Sequence, residues 1–484
     1  MSETEGAHSE EMPTQLTQEG QQVQYKICWD GPNDPENPRN WHLFKRCYNT
    51  LVPALLNFAV TYGTSVYTPG VPQIMAQFHV SRTAAFLPLS LGGLGLAFGP
   101  VLGAPISETL GRKAVYLGTF PISLLASVGA AESQNFGTLL ACRFFAGLFG
   151  SPTLAISAGT IADIWDQQEG WGSTVSAVTI LAPFAGPVLG PVVGGYTILH
   201  RDWRWLMWGV VLVGGPIYLL TFFTQETYKK TILARRAKGS EIPPQPGPTG
   251  VEWVKSILTL NLFIPIHMLF TEPIVAAISL YIAFVSGVLF EISARYPYAF
   301  GKVYFFTSGE VGLAFLALLV GLLASIATFE ICNRAALREV NPHGGRAAPE
   351  RWLYASMLGS LGIPISLFWF SWSMRKDAYW VSPILAGIPF GWGILCLFLG
   401  TSRYLIDLYQ SPNGASAMAA NCLLRYTFGS LFPLFTPSMY ARFGIQWAEI
   451  LLGFISLLLL PVPWVLFKWG DKIWARTQYP VAKF

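Results

Sequence analysis

Twelve stretches of this 484-residue chain are apolar over eighteen residues or more, and that repetition leaves few folds open. A bilayer core of about 30 Å needs roughly 20 apolar residues per spanning helix. The first six windows are Cys47 to Thr68, Ala84 to Pro105, Ala114 to Ala131, Thr138 to Ala162, Trp171 to Leu199 and Trp205 to Gln225. Within them only Arg143 carries a charge. The second six are Leu269 to Phe290, Val303 to Phe329, Trp352 to Met374, Ala378 to Ser402, Gly414 to Tyr440 and Gln446 to Phe467. Backbone groups in lipid must bond within their own segment or close a barrel, and these segments are too long and too uniformly apolar for barrel strands. An all-α polytopic membrane protein of about twelve transmembrane helices follows.

Residues 226–258 interrupt the series with a basic run and then a Pro- and Gly-rich stretch, "ETYKKTILARRAKGSEIPPQPGPTGVEWVK". Six helices on each side of it predict two pseudo-symmetric halves, 46–225 and 259–469, with tails at 1–45 and 470–484. The first tail is expected to be cytoplasmic and disordered, being polar with no apolar core; the absence of such a core also argues against a signal peptide. Of the 31 Lys and Arg residues, those sharing a side with the N-terminus outnumber those opposite by more than two to one. The positive-inside rule therefore predicts both termini in the cytoplasm and an even number of spans.

With 52% hydrophobic and 12% charged residues, the chain is far from the roughly one-quarter charged content of a soluble domain. A net charge of +4 requires no nucleic acid. The six cysteines, scattered and without a C-x-x-C pair, predict buried thiols rather than a metal site or a disulfide framework. No P-loop and no H-E-x-x-H occurs, and paired aspartates are absent from the spans, which argues against ATP-driven pumping and against a membrane-embedded enzyme. No cofactor or metal is expected.

Four segments concentrate the remaining signal. After the second span, "FGPVLGAPISETLGRKAVYLG" places Glu108 four residues before Arg112, beside Gly111 and Lys113, so an acid and two bases can pair across a short loop. Arg143 sits about one turn inside the fourth span, where a charge costs about 2.5 to 3.5 kcal/mol on insertion scales and should face the bundle interior; Asp163 follows twenty residues later. In the fifth span "AGPVLGPVVGGY" holds Gly186, Pro187, Gly190, Pro191, Gly194 and Gly195, a face that lets a neighbouring helix approach to backbone distance while two prolines bend the helix. Glu272 near the inner end of the seventh span and Arg425 in the eleventh are two more intramembrane charges to be placed. Asn57, Thr61, Tyr62 and Tyr67, with Tyr281 and Asn421, are polar groups able to face a central cavity.

The "APISETLGR" loop resembles the motif between helices two and three of the major facilitator superfamily, and the Arg143 segment is similar to that family's fourth-helix motif. The fifth-span face resembles the family's antiporter motif along its whole length. With "DWRWLMW", "QETYKKTILARRA", "EPIVAAISLY" and "SAMAANCLLRYTFGSLFPLF", the resemblance to a fungal drug:proton antiporter extends from Trp41 to Gly470, and "CWDGPNDPENPRNW" is similar to the tail of that group. The chain departs where the family has "PET" (Gln225, Glu226, Thr227 here) and "GGT" (Ala158, Gly159, Thr160 here). The resemblance implies a monomer in the plasma membrane that exports a drug, toxin or secondary metabolite against protons by alternating access. Proton-coupling or gating roles then fall to Arg143, Asp163 and Glu272, and cavity roles to Asn57, Tyr62, Tyr281, Asn421 and Arg425. The alternatives are a polyamine exporter, or an importer or facilitator of a sugar or organic acid with the same fold.

Overall fold

The computed structural model describes residues 29–165, 172–237, 259–338, 348–410, 413–474, 477 and 479. Among these, nine helical stretches are long and apolar enough to cross a membrane. One of them, Asn413–Ile473, is two helices. At Gly444 the backbone leaves the helix with φ 75° and ψ 165°, and Tyr440 and Glu449 on either side hydrogen-bond to each other. Residues nine apart on a straight helix stand about 13.5 Å apart, so the chain reverses here. Leu43–Ser65 and Leu87–Leu110 complete the set of twelve.

We number them α1 (Leu43–Ser65), α2 (Leu87–Leu110), α3 (Arg112–Ala131), α4 (Phe136–Ile164), α5 (Gly172–His200), α6 (Arg204–Thr221), α7 (Pro273–Val303), α8 (Ser308–Leu337), α9 (Tyr354–Ser373), α10 (Val381–Tyr409), α11 (residues 413–443) and α12 (residues 445–474). Local chemistry starts several of them. Asn135 Oδ1 accepts from Thr138 N at 2.8 Å to cap α4. Thr307 and Glu310 form a reciprocal capping box at α8. Pro273 opens α7 directly after an extended Glu272.

The pairing of helices repeats between the halves. In the first, α1 packs on α5, α2 on α4 and α3 on α6; in the second, α7 packs on α11, α8 on α10 and α9 on the α11–α12 unit. The halves meet through α2 against α11 and α5 against α8. These two contacts exchange under the same internal correspondence, as expected of a pseudo-twofold axis between two six-helix units.

Three expectations need correction. α7 runs to Val303, thirteen residues beyond its predicted end at Phe290, because the charges that ended the apolar window are buried and paired rather than in a loop. Residues 29–42, expected to be disordered, are folded onto the bundle and bury Asp34. Of the described cysteines only Cys396 is buried, and Cys47 is exposed. Residues 1–28 with Cys28, residues 238–258 of the central loop and most of 475–484 lie outside the described residues.

Candidate transport pathway and coupling sites

The glycine face of α5 meets two helices. A Cβ built on Gly190 would collide with Ser65 Oγ and lie 2.8 Å from Val66 N; one on Gly186 would lie 2.6 Å from Tyr62 N, and one on Gly194 2.7 Å from Val66 O. All three belong to the α1 side. Ser65 Oγ uses the proximity to donate to Gly186 O at 3.1 Å. Gly195 instead abuts Ser308 and Gly309 of α8, and a Cβ on Gly312 of α8 would lie 2.6 Å from Pro191 O. Toward the other end of the same pair, Thr174 Oγ1 donates to Glu330 Oε2 at 2.8 Å. α5 is therefore pressed at backbone distance between α1 of its own half and α8 of the other. Pro183, Pro187 and Pro191 lie within the same helix.

The α2–α3 turn is built around charges. Gly111 ends α2 at φ 95°, a backbone region that favours glycine. The free N–H groups that open α3 point at Glu226, whose carboxylate accepts from Arg112 N at 2.8 Å and Lys113 N at 3.2 Å, and from its own neighbours Thr227 N and Tyr228 N at 3.0 Å each. Arg112 pairs through Nε with Asp163 at 3.4 Å and through Nη1 with Ser107 Oγ at 3.0 Å. Lys113 Nζ donates to the carbonyls of Phe222 and Thr224 at 2.9 and 2.6 Å. The acid holding Arg112 is thus Asp163 of α4, not Glu108. Glu108 is exposed, because the break at Gly111 removes the helical register that would have joined the two.

Arg143 is buried, and its partners are carbonyls. It donates to Gly63 O at 2.7 Å, Thr64 O at 3.0 Å and Pro88 O at 3.4 Å, and stands 5.5 Å from the Tyr67 ring. It also lines a void of about 20 Å³, room for one water. Glu272, at the start of α7, accepts from Tyr409 Oη at 2.8 Å and from Tyr479 N at 3.2 Å. Arg143, Asp163 and Glu272 share no contact; they mark three separate places, the last two beside the helix ends nearest the α2–α3 turn.

At mid-length the two halves face each other across aromatics. Arg425 of α11 lies 4.7 Å from the Phe398 ring of α10, 5.9 Å from Phe184 of α5 and 4.4 Å from Tyr426. Its Nε has no hydrogen-bond partner, nor does Oδ1 of Asn421 one turn earlier. In α1, Asn57 donates to Ser157 Oγ at 2.7 Å while its Oδ1 is unmet. Tyr62 and Tyr281 are buried, the first stacked on Phe58 and the second within 3.4 Å of Ser360 O.

One cluster has no counterpart in the residues singled out from the sequence. Glu291 and Arg295 of α7, Tyr440 of α11 and Glu449 of α12 converge, and none is more than 2% exposed. Arg295 Nη1 lies 2.5 Å from Glu449 Oε2, and its Nε 3.8 Å from Glu291 Oε2. Tyr440 Oη touches one oxygen of each carboxylate. The i,i+4 spacing of Glu291 and Arg295 is visible in the sequence, but both fall between the seventh and eighth apolar windows.

Twelve apolar helices in two equivalent units, with polar and aromatic side chains buried where the units face each other, are the architecture of a polytopic membrane transporter. The sequence profile of the Major Facilitator Superfamily matches residues 54–424. The chain is 36% identical over 487 residues to Polyamine transporter 4 of Saccharomyces cerevisiae, covering 94% of this chain and 73% of that one. It is 37% identical to the multidrug transporter mdrA of Aspergillus fumigatus (94% and 76% covered) and 36% identical to the citrinin biosynthesis cluster MFS transporter mrr1 of Monascus ruber (94% and 92%). The chain belongs to the Major Facilitator Superfamily. It is a multi-pass transporter of small molecules and not an enzyme.

Proposed function

We propose that the protein exports small organic molecules, of the drug, toxin or secondary-metabolite kind, in exchange for protons. The halves 46–225 and 259–469 rock about the aromatic centre at Arg425, exposing it to each side in turn. Both termini face the cytoplasm, the membrane is the plasma membrane, and a monomer suffices, since both halves of the site lie in one chain. On this reading the Arg112–Asp163 and Glu272–Tyr409 contacts are cytoplasmic latches that gate the pathway, and Arg143 ties α4 to α1 and α2.

The observation that carries the proposal is the α5 glycine face. The α5 glycines, with Gly309 and Gly312 opposite them on α8, allow α5 to slide between α1 of its own half and α8 of the other, which is what an alternating cycle asks of one helix. The names of relatives support export: mdrA is a multidrug transporter, and the Fusarium oxysporum relative, 34% identical, is called an efflux pump. Each proton entering contributes about 2.3 kcal/mol per 100 mV of membrane potential.

Arg425 bears on the substrate. Its cation lies among aromatic rings with an unused donor, and among the described residues no carboxylate pairs with it. A polyamine would bring further positive charge to that place, whereas a neutral or anionic molecule with an aromatic body would satisfy it. The test is uptake into inside-out plasma-membrane vesicles with an acidic lumen. Protonophore-sensitive accumulation of an aromatic carboxylic acid, without accumulation of spermidine, is expected; gradient-independent equilibration, or spermidine uptake alone, would refute the proposal.

A further inference from the structure

The Glu291–Arg295–Tyr440–Glu449 cluster contains more oxygen contacts than its hydroxyl proton can serve. Tyr440 Oη is hydrogen-bonded to Glu291 Oε1 and to Glu449 Oε1. A phenol has one proton and donates one such bond. The second contact requires a proton on a carboxyl, which then donates to the phenol oxygen. The two carboxylates differ in their other oxygens. Glu449 Oε2 lies 2.5 Å from Arg295 Nη1, a charge-assisted bond to an ionised group. Glu291 Oε2 has no hydrogen-bond partner, and Arg295 Nε stands 3.8 Å away, also unmet.

We propose that Glu291 is protonated in this conformation and is the site that binds the transported proton. This rests on the proton-coupled reading above. With Glu291 neutral, Arg295 and Glu449 cancel and the cluster has no net charge. Loss of the Glu291 proton to water leaves one uncompensated negative charge among apolar side chains, which is costly until water reaches it. The other ionisable groups in contact with the cluster are phenols, and the next cation, Arg82, reaches only the Tyr298 ring. On α7 itself the remaining ionisable neighbours are Tyr298 and Tyr296, the latter with Phe315 of α8 and Gly387 of α10 against it. Phe370 of α9 lies 4.3 Å from the Arg295 guanidinium. Tyr298 lies tilted against Tyr440, ring centroids 5.6 Å apart, and carries Arg82 of the first half at 5.0 Å on its ring.

Geometry links this proton to movement. Glu291 lies on α7, twelve residues or about 18 Å in from the Val303 end, while Tyr440 and Glu449 flank the α11–α12 turn. The protonated cluster therefore fastens α7 to α11 and α12 at the end opposite the α2–α3 turn. Deprotonation favours an arrangement in which α7 parts from them and water enters.

The experiment is Glu291→Gln in the full-length protein. Gln is the nearest replacement for a neutral Glu and can donate to Tyr440, so the variant is expected to fold and to keep substrate–substrate exchange near the wild-type rate. Proton-driven accumulation is expected to fall at least tenfold. Retained accumulation in the variant, or its failure to fold, would overturn the proposal. Loss of accumulation in the wild type would overturn the exporter reading instead. Infrared spectroscopy of the purified protein decides protonation without transport: a protonated-carboxyl band at neutral pH that vanishes in Glu291→Gln is expected, and an unchanged spectrum would contradict it. In Glu449→Gln the acid left within reach of Arg295 is Glu291 at 3.8 Å, so the protonated-carboxyl band is expected to disappear as Glu291 ionises against the guanidinium; a band that persists in that variant would likewise contradict the assignment.

Discussion

Glu226 closes the α2–α3 turn from 114 residues away, its Oε1 accepting the Arg112 backbone N–H at 2.8 Å. The same carboxylate holds Lys113 N, Thr227 N and Tyr228 N, so a single side chain fixes the start of α3 to the segment after α6. Replacing it leaves several amide donors unmet at a buried helix start. Glu226→Ala is expected to cost about 1–3 kcal/mol, seen as a lower melting temperature of the purified protein, with Glu226→Gln intermediate.

Gly190→Val tests the α5 face. Even a single Cβ would meet Ser65 Oγ and approach Val66 N to 2.8 Å, and overpacking of this kind costs about 1–3 kcal/mol. Transport should fall at least tenfold at matched surface expression. Gly118→Ala and Gly215→Ala, where a Cβ meets nothing within 4 Å, should transport at the wild-type rate.

Arg143→Gln removes donors from the carbonyls of Gly63, Thr64 and Pro88. An unmet buried acceptor costs about 1–3 kcal/mol, so thermal stability and transport should fall together, and Arg143→Lys should recover part of both. Undiminished proton-dependent efflux in Arg143→Gln would remove Arg143 from the mechanism.

The segment before α1 is docked by Arg236, which reaches Asp34 at 3.1 Å, Asp30 at 2.9 Å and Glu36 at 2.7 Å. Burial works against ionisation of Asp34, but the Glu36 and Asp30 N–H groups and the Arg236 guanidinium outweigh it and hold the carboxyl below its usual value of 3.8. A depressed carboxyl pKa stabilises docking above the unfolded value, and that stabilisation is lost as pH falls through the folded one. Protease resistance of residues 29–42 should therefore be constant across neutral and mildly acidic pH and collapse only below about pH 3.8. Arg236→Ala should lose it already at neutral pH.

The sequence made the helix count legible because each span is apolar over its whole length, and the α5 face was legible because glycines four apart share one side of a helix. What it concealed were charges whose partners lie far along the chain. Apolar windows end at ionisable residues, so the seventh stops at Phe290 and leaves Arg295 outside any span, although Glu449, 154 residues on, neutralises it in the interior. The same blindness assigned Arg112 to Glu108, its neighbour in sequence, rather than to Asp163. The cost of a charge inside a span pointed Arg143 toward the bundle interior, but nothing local revealed that carbonyls of α1 and α2 would satisfy it.

Proton antiport is the central claim, and the sign of a luminal pH change tests it most directly. Proteoliposomes loaded with substrate and diluted into substrate-free buffer, with no initial pH difference and a trapped pH dye, should acidify inside as substrate leaves and protons enter. Protein-free liposomes set the baseline. Luminal alkalinisation would indicate symport, and substrate release with no pH change would indicate a facilitator; either result would contradict the account.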